Sequence, residues 1–155
     1  MQTTKIIRTL SLLAALFGSV LTAPIIYAQE GPTGLWRNID DKTGKSKALI
    51  RITEVNGELE GKIEKIFREP SEDQNPKCVK CEGANKDKPI IGLTIMTGLK
   101  KDDDEYTGGK ILDPDNGVLY SCKLKLIEQN KKLKVRGFVG LPLLGRSQIW
   151  VREAQ

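Results

Sequence analysis

Apolar and polar residues alternate with a period of two over most of the chain beyond Gly34. That spacing sets one face of an extended strand on a core and the other in water. From Ser46 to Glu54, Ala48, Ile50 and Ile52 fall on one side, and Lys47, Leu49, Arg51 and Thr53 on the other. Asn56-Gly57 follows, a pair that tolerates positive φ at both positions and so predicts a two-residue hairpin turn. The next run sets Leu59, Gly61 and Ile63 against Glu58, Glu60, Lys62 and Glu64. Further on, the turn residues Asp113-Pro114-Asp115-Asn116-Gly117 precede Val118, Tyr120, Cys122, Leu124 and Leu126, which alternate with Leu119, Ser121, Lys123 and Lys125. A turn near Gln129-Asn130 leads to Leu133, Val135, Gly137 and Val139. Weaker strands fit Leu35 to Asp40, Ile91 to Leu99 and Tyr106 to Leu112, and a last one fits Arg146 to Arg152. After the first 28 residues, no window of ten or more shows a helical period.

About eight short strands joined mostly by tight turns predict an all-β domain. Open edge strands invite aggregation, and closing the meander on itself removes them. The expectation is a single antiparallel up-and-down β-barrel, with an interior just wide enough for side chains or one small ligand; a flat sandwich is the competing arrangement. Gly61, Gly109, Gly137 and Gly140 are the kind of residue that relieves crowding where strands bend round a barrel. One segment breaks the pattern. Arg68 to Lys88 is polar and aperiodic, and loops of that length in compact domains are functional lids or disordered. The cysteines inside it favour an ordered, stapled excursion.

The N-terminus has its own pattern. Lys5 and Arg8, with no acidic residue before Glu30, precede an apolar run from Leu10 to Leu21. That run is shorter than the roughly 20 residues needed to span a bilayer, so it predicts a cleavable export signal over residues 1–28, cut after Ala28, rather than an anchor. No cysteine stands where lipid attachment would require one. The remaining chain, residues 29–155, is expected to form one domain with no transmembrane segment and to work in the periplasm or outside the cell.

Losing Lys5 and Arg8 takes the formal charge from +5 to +3. The two signs interleave and aromatics are few, which argues against a nucleic-acid partner. The chain contains no histidine. This excludes Ser-His-Asp and Cys-His catalysis, imidazole metal ligands and c-type haem attachment. No paired carboxylates stand out by spacing; no catalytic residues and no cofactor are predicted.

In an oxidising compartment Cys78 and Cys81 are expected to form a structural disulfide, leaving Cys122 on the apolar face of its strand. A bridge to Cys122 and a redox or metal role for the C-x-x-C pair are the alternatives, although a thioredoxin-type centre needs a helix N-terminus that is absent here. Three cysteines without histidine make an incomplete zinc set. Asp102-Asp103-Asp104-Glu105 and Asp113-x-Asp115 could suggest calcium, but the second lacks the distal glutamate of an EF-hand loop, and both read as solvated turns.

Gly34-Leu35-Trp36 opens the first strand, and Arg146 and Arg152 flank the last. The arrangement resembles lipocalin-like barrels, in which an arginine from near the chain end stacks on the tryptophan of G-x-W and shuts one end of the barrel. Trp36 as an ordinary core residue is the competing reading. A wider resemblance rests on Lys86-Asp87-Lys88-Pro89-Ile90-Ile91-Gly92, Gly108-Gly109-Lys110-Ile111-Leu112-Asp113-Pro114, Gly117 with Tyr120 and Cys122, Lys134-Val135-Arg136-Gly137, and Gly145-Arg146 followed by Trp150. On these stretches the chain is similar to the exported bacterial family called domain of unknown function 2147. The resemblance implies a Gram-negative envelope location and a small barrel of the calycin type, and brings no activity. Where similar sequences often carry an aromatic after the Ile-Gly segment, this chain has Met96-Thr97. The expected function is binding of a small apolar or amphipathic ligand in the barrel, with Trp36, Tyr120, Arg136 and Arg146 as candidate ligand-binding residues and the stapled loop as a lid. The alternative is an interaction module of the cell envelope, binding a protein or peptidoglycan partner.

Overall fold

The computed structural model describes residues 31–154; the predicted export signal and its cleavage point lie outside the described residues. Eight strands follow one another: β1 (Gly34–Ile39), β2 (Ser46–Val55), β3 (Glu58–Ile66), β4 (Thr94–Asp102), β5 (Glu105–Asp113), β6 (Val118–Ile127), β7 (Lys132–Phe138) and β8 (Arg146–Arg152). Each pairs antiparallel with the next, and β8 returns to β1, so the sheet is a closed up-and-down barrel and not a sandwich. Among the described residues the only helical pieces are two short 3-10 turns, Gly83–Asn85 and Pro142–Leu144.

Alternation decides what goes inside. Trp36, Ile50, Ile52, Leu59, Met96, Leu99, Leu124, Leu133 and Trp150 are almost fully buried, while the intervening lysines and glutamates stay in water. Apolar-in and polar-out is the reverse of a barrel built to span a membrane. Among the described residues no helix is long and apolar enough to cross one. Asn56 and Gly57 take φ of 53° and 78°, as the hairpin between β2 and β3 requires.

Two of the four expected crowding glycines are crowded. A Cβ on Gly61 would stand 2.9 Å from Met96 Cβ, and one on Gly109 would stand 2.4 Å from Leu99 Cγ. Gly137 leaves ordinary contact distances, and Gly140 belongs to an open turn after β7. The fourth strand begins three residues later than periodicity predicts. Gly92 takes φ of 87° and ends a turn in which Gly92 N–H donates to Ile63 O and Ile63 N–H donates to the Leu93 carbonyl. The chain therefore reaches strand geometry only at Thr94.

Strand direction sorts the connections between the two ends of the barrel. The tight turns after β2, β4 and β6 lie at one end together with Gly31 and Arg152; this is the terminal end. The connections after β1, β3, β5 and β7, including every long one, lie at the other; this is the loop end.

Candidate functional site

At the terminal end the barrel is shut. The Arg152 guanidinium lies 4.2 Å from the centroid of the Trp36 ring, and the indole Nε1–H donates to Pro32 O at 2.8 Å. Arg152 donates from Nε to Asn130 O (2.7 Å), from Nη1 to Thr33 O (2.9 Å) and from Nη2 to Gly31 O (2.7 Å). One cation thus ties the first strand, the turn after β6 and the last strand together. Burial pulls its pKa below the ordinary value, and the three carbonyls keep the charge satisfied. Beside it Arg37 forms a bidentate pair with Glu153 at 2.6 and 2.8 Å, which lowers the Glu153 pKa.

The loop end is built differently. Burial of the inward positions thins toward it: along β6, Cys122 and Leu124 are buried, Tyr120 is half-buried and Val118 is exposed. On β8 the same gradient runs from Trp150 through Gln148 to Arg146. Here Asn38 takes an inward position on β1, paired across the sheet with Ala48 and Trp150 and only 7% exposed.

The hydrogen bonding of this asparagine is fixed by its neighbours. The Trp150 indole can only donate, and it donates to Gln148 Oε1 at 3.2 Å. The group facing Asn38 is therefore the Gln148 oxygen, which receives Asn38 Nδ2–H at 2.9 Å. By this chain of donors Asn38 Oδ1 must be the atom turned away, and it is a buried acceptor without a partner among the described residues. Such an atom costs about 1–3 kcal/mol unless something donates to it.

The predicted loop is an ordered cover. Cys78 and Cys81 form the expected disulfide, with Cα atoms 5.3 Å apart, and Cys122 is a buried free thiol whose pKa is pushed up to about 12 by burial. Cys78 N–H donates to Lys88 O, Ile90 N–H to Pro76 O, and Lys80 Nζ to Asp115 O at 2.8 Å. Gly117 lies so close to this loop that an added Cβ would sit 1.9 Å from Lys80 O. The loop is thereby seated on the turn after β5, and Cys78, Cys81, Ile90 and Leu93 join Ile95 and Leu112 in the buried cluster.

The four residues singled out as ligand-binding do not come together. Trp36 is spent on the terminal seal. Tyr120 faces inward at the loop end, and its hydroxyl accepts from Asn116 Nδ2 at 3.0 Å. Arg146 is at the same end and pairs with Asp41, whose pKa it lowers. Arg136 lies on the outer surface and donates to Pro142 O and Leu143 O. The acidic residues weighed as calcium ligands are engaged locally: Asp104 with Lys125, Glu105 with Lys123, and Asp113 with the Asp115 and Asn116 donors. Two depressions, of about 280 and 200 Å³, both open on the outside of the barrel, one between Lys123 and Leu143 and the other between Asn85 and Thr94. Asn38 and Gln148 were missed from the sequence. The available signal was a polar residue on the inward parity, two positions from each buried tryptophan.

A closed eight-stranded barrel sealed by an arginine over a tryptophan is a lipocalin-like fold. A solved structure, protein HP1028 of Helicobacter pylori, described as belonging to the lipocalin family, aligns with a TM-score of 0.65 and 17% identity over 79% of this chain and 82% of that one. The chain belongs to the family described as "Uncharacterized protein conserved in bacteria (DUF2147)", whose model matches residues 34–152. No curated protein matches it.

Proposed function

We propose that the chain is an exported envelope protein that takes a small amphipathic molecule into the loop end of its barrel. The observation that carries this reading is the orphan Asn38 Oδ1. A buried acceptor calls for a donor, so the ligand brings a hydroxyl or N–H to Asn38 and rests its apolar part on the half-buried Ile66, Ile111 and Tyr120. Below this level the barrel holds its own Ile, Leu and Trp side chains, which supports a shallow, short ligand over a long lipid chain. Export is supported by the predicted leader and by a disulfide of the kind oxidising compartments maintain.

Native mass spectrometry of protein recovered from its own cell envelope tests the reading, with the N-terminus sequenced in parallel. A mature form starting at Gln29 that carries a bound mass is expected. Asn38→Leu removes the orphan acceptor; it is expected to abolish that mass and to stabilise the empty protein by about 1 kcal/mol. Empty wild-type protein in every preparation refutes binding. An interaction module working through its outer surface is favoured by a different observation, the exposure of Leu141, Leu143 and Leu144.

A further inference from the structure

We infer that the outward side of β6, β7 and β8, with the leucine turn after β7, is a docking face for an anionic lipid bilayer. Charge is the first observation. Over the chain as a whole the signs interleave, but from Lys131 to Arg152 there is no acidic residue. Of the six basic ones, Lys132, Lys134 and Arg136 point outward along β7, while Arg146 pairs with Asp41 and Arg152 seals the terminal end. On the outer face Lys134 and Arg136 form no ion pair among the described residues. With Pro142 and Leu143 they line a depression of about 280 Å³ that also takes in Lys123, paired with Glu105, and Lys125, paired with Asp104.

The second observation is the turn itself. Leu141, Leu143 and Leu144 are 67%, 90% and 79% exposed, beside the exposed Val139. Side chains so apolar rarely cluster in water without a partner surface. Nor is the turn loose. Leu144 N–H donates to Leu141 O, Gly145 N–H donates to Pro142 O, and Arg136 donates to Pro142 O at 2.7 Å and Leu143 O at 3.3 Å. A Cβ on Gly145 would stand 2.7 Å from Phe138 Cβ, so the turn is held tight against β7.

Backbone groups that enter a lipid interface are best satisfied from within the protein, and here the Leu141, Pro142 and Leu143 carbonyls each have an internal donor. Apolar tips beside cations match the order of a membrane surface, with phosphates outermost and acyl chains below. A second copy fits less well, because a symmetric contact would set Lys134 and Arg136 against their own equivalents.

Flotation of the protein with vesicles tests the inference. Binding is expected to vesicles containing about one-third phosphatidylglycerol, much less to pure phosphatidylcholine, and to weaken as salt rises. Leu143→Ser with Leu144→Ser should lower the partition coefficient about tenfold or more, and Lys134→Glu should lower it on anionic vesicles only. The leucines are exposed, so both variants are expected to melt like the wild type. No binding to anionic vesicles, or binding that ignores the leucine substitutions, overturns the inference. So does a lipid-free dimer that the leucine substitutions dissolve.

Discussion

Replacing Arg152 by alanine removes the seal at the terminal end in one step. The guanidinium holds three carbonyls at 2.7–2.9 Å and covers the Trp36 ring at 4.2 Å. A hydrogen bond to a charged group contributes about 1.5–3 kcal/mol, and a cation over an indole about 1 kcal/mol. Even the lower values total about 5.5 kcal/mol, but the seal is partly open to solvent and water can reach the abandoned carbonyls, which recovers part of that loss. The expected loss is about 3–4 kcal/mol, a large share of the roughly 5–15 kcal/mol that holds a domain of this size together. Melting should fall by about 10–18 °C. Arg152→Lys keeps the charge but not the three-way fork, and is expected to lose about half as much. Urea unfolding followed by tryptophan fluorescence measures both, and a double-mutant cycle with Trp36→Phe should isolate a coupling of about 1 kcal/mol for the stacking. An Arg152→Ala protein within about 1 kcal/mol of wild type, with an unchanged denaturant slope, would falsify the view that this residue closes the barrel.

Cys122 makes stability depend on alkaline pH. Its thiol pKa is raised from 9.0 to about 12 by burial, so the unfolded chain ionises before the folded one. The contribution is intact below pH 9 and drains as the pH climbs from 9 towards 12. Between about pH 8 and about pH 10.5 wild type should lose about 2 kcal/mol more than Cys122→Ala, by urea titration at each pH; equal losses refute it. At Gly117, with φ of 77°, alanine would drive its Cβ into Lys80 O. A cost of about 2–4 kcal/mol or local release of the disulfide loop is expected. Limited proteolysis between Lys77 and Lys88 distinguishes the two, and wild-type behaviour in both measurements counts against the close fit.

Strand alternation made the barrel readable before any coordinates, because each run with a period of two needs a buried and a wet face. It misplaced only what glycine controls locally. Gly92 delays the start of β4, and Gly98, at φ of 73°, kinks it, so that Met96 and Leu99 both reach the interior. The seal was half visible. Gly34-Leu35-Trp36 pointed to an arginine, but Arg146 and Arg152 were both available, and only the pairing of Trp36 with Arg152 decides between them. The amide cluster was hidden for a different reason. Asn38 and Gln148 are 110 residues apart, and nothing along the chain marks them as partners until β8 closes on β1. The basic outer face escaped notice because chain-wide charge counts do not report which strands become neighbours.

The same closure governs when the fold can form. Arg37 and Glu153 are separated by 116 positions, and β1 has a bare edge until β8 arrives. Every other strand pair joins neighbours in sequence and can form as the chain emerges, but the last cannot. A chain appearing N-terminus first therefore stays an open, curling ribbon with an unpaired β1 edge until its final strand is free. Arg152 acts late, as the latch that turns a ribbon into a vessel.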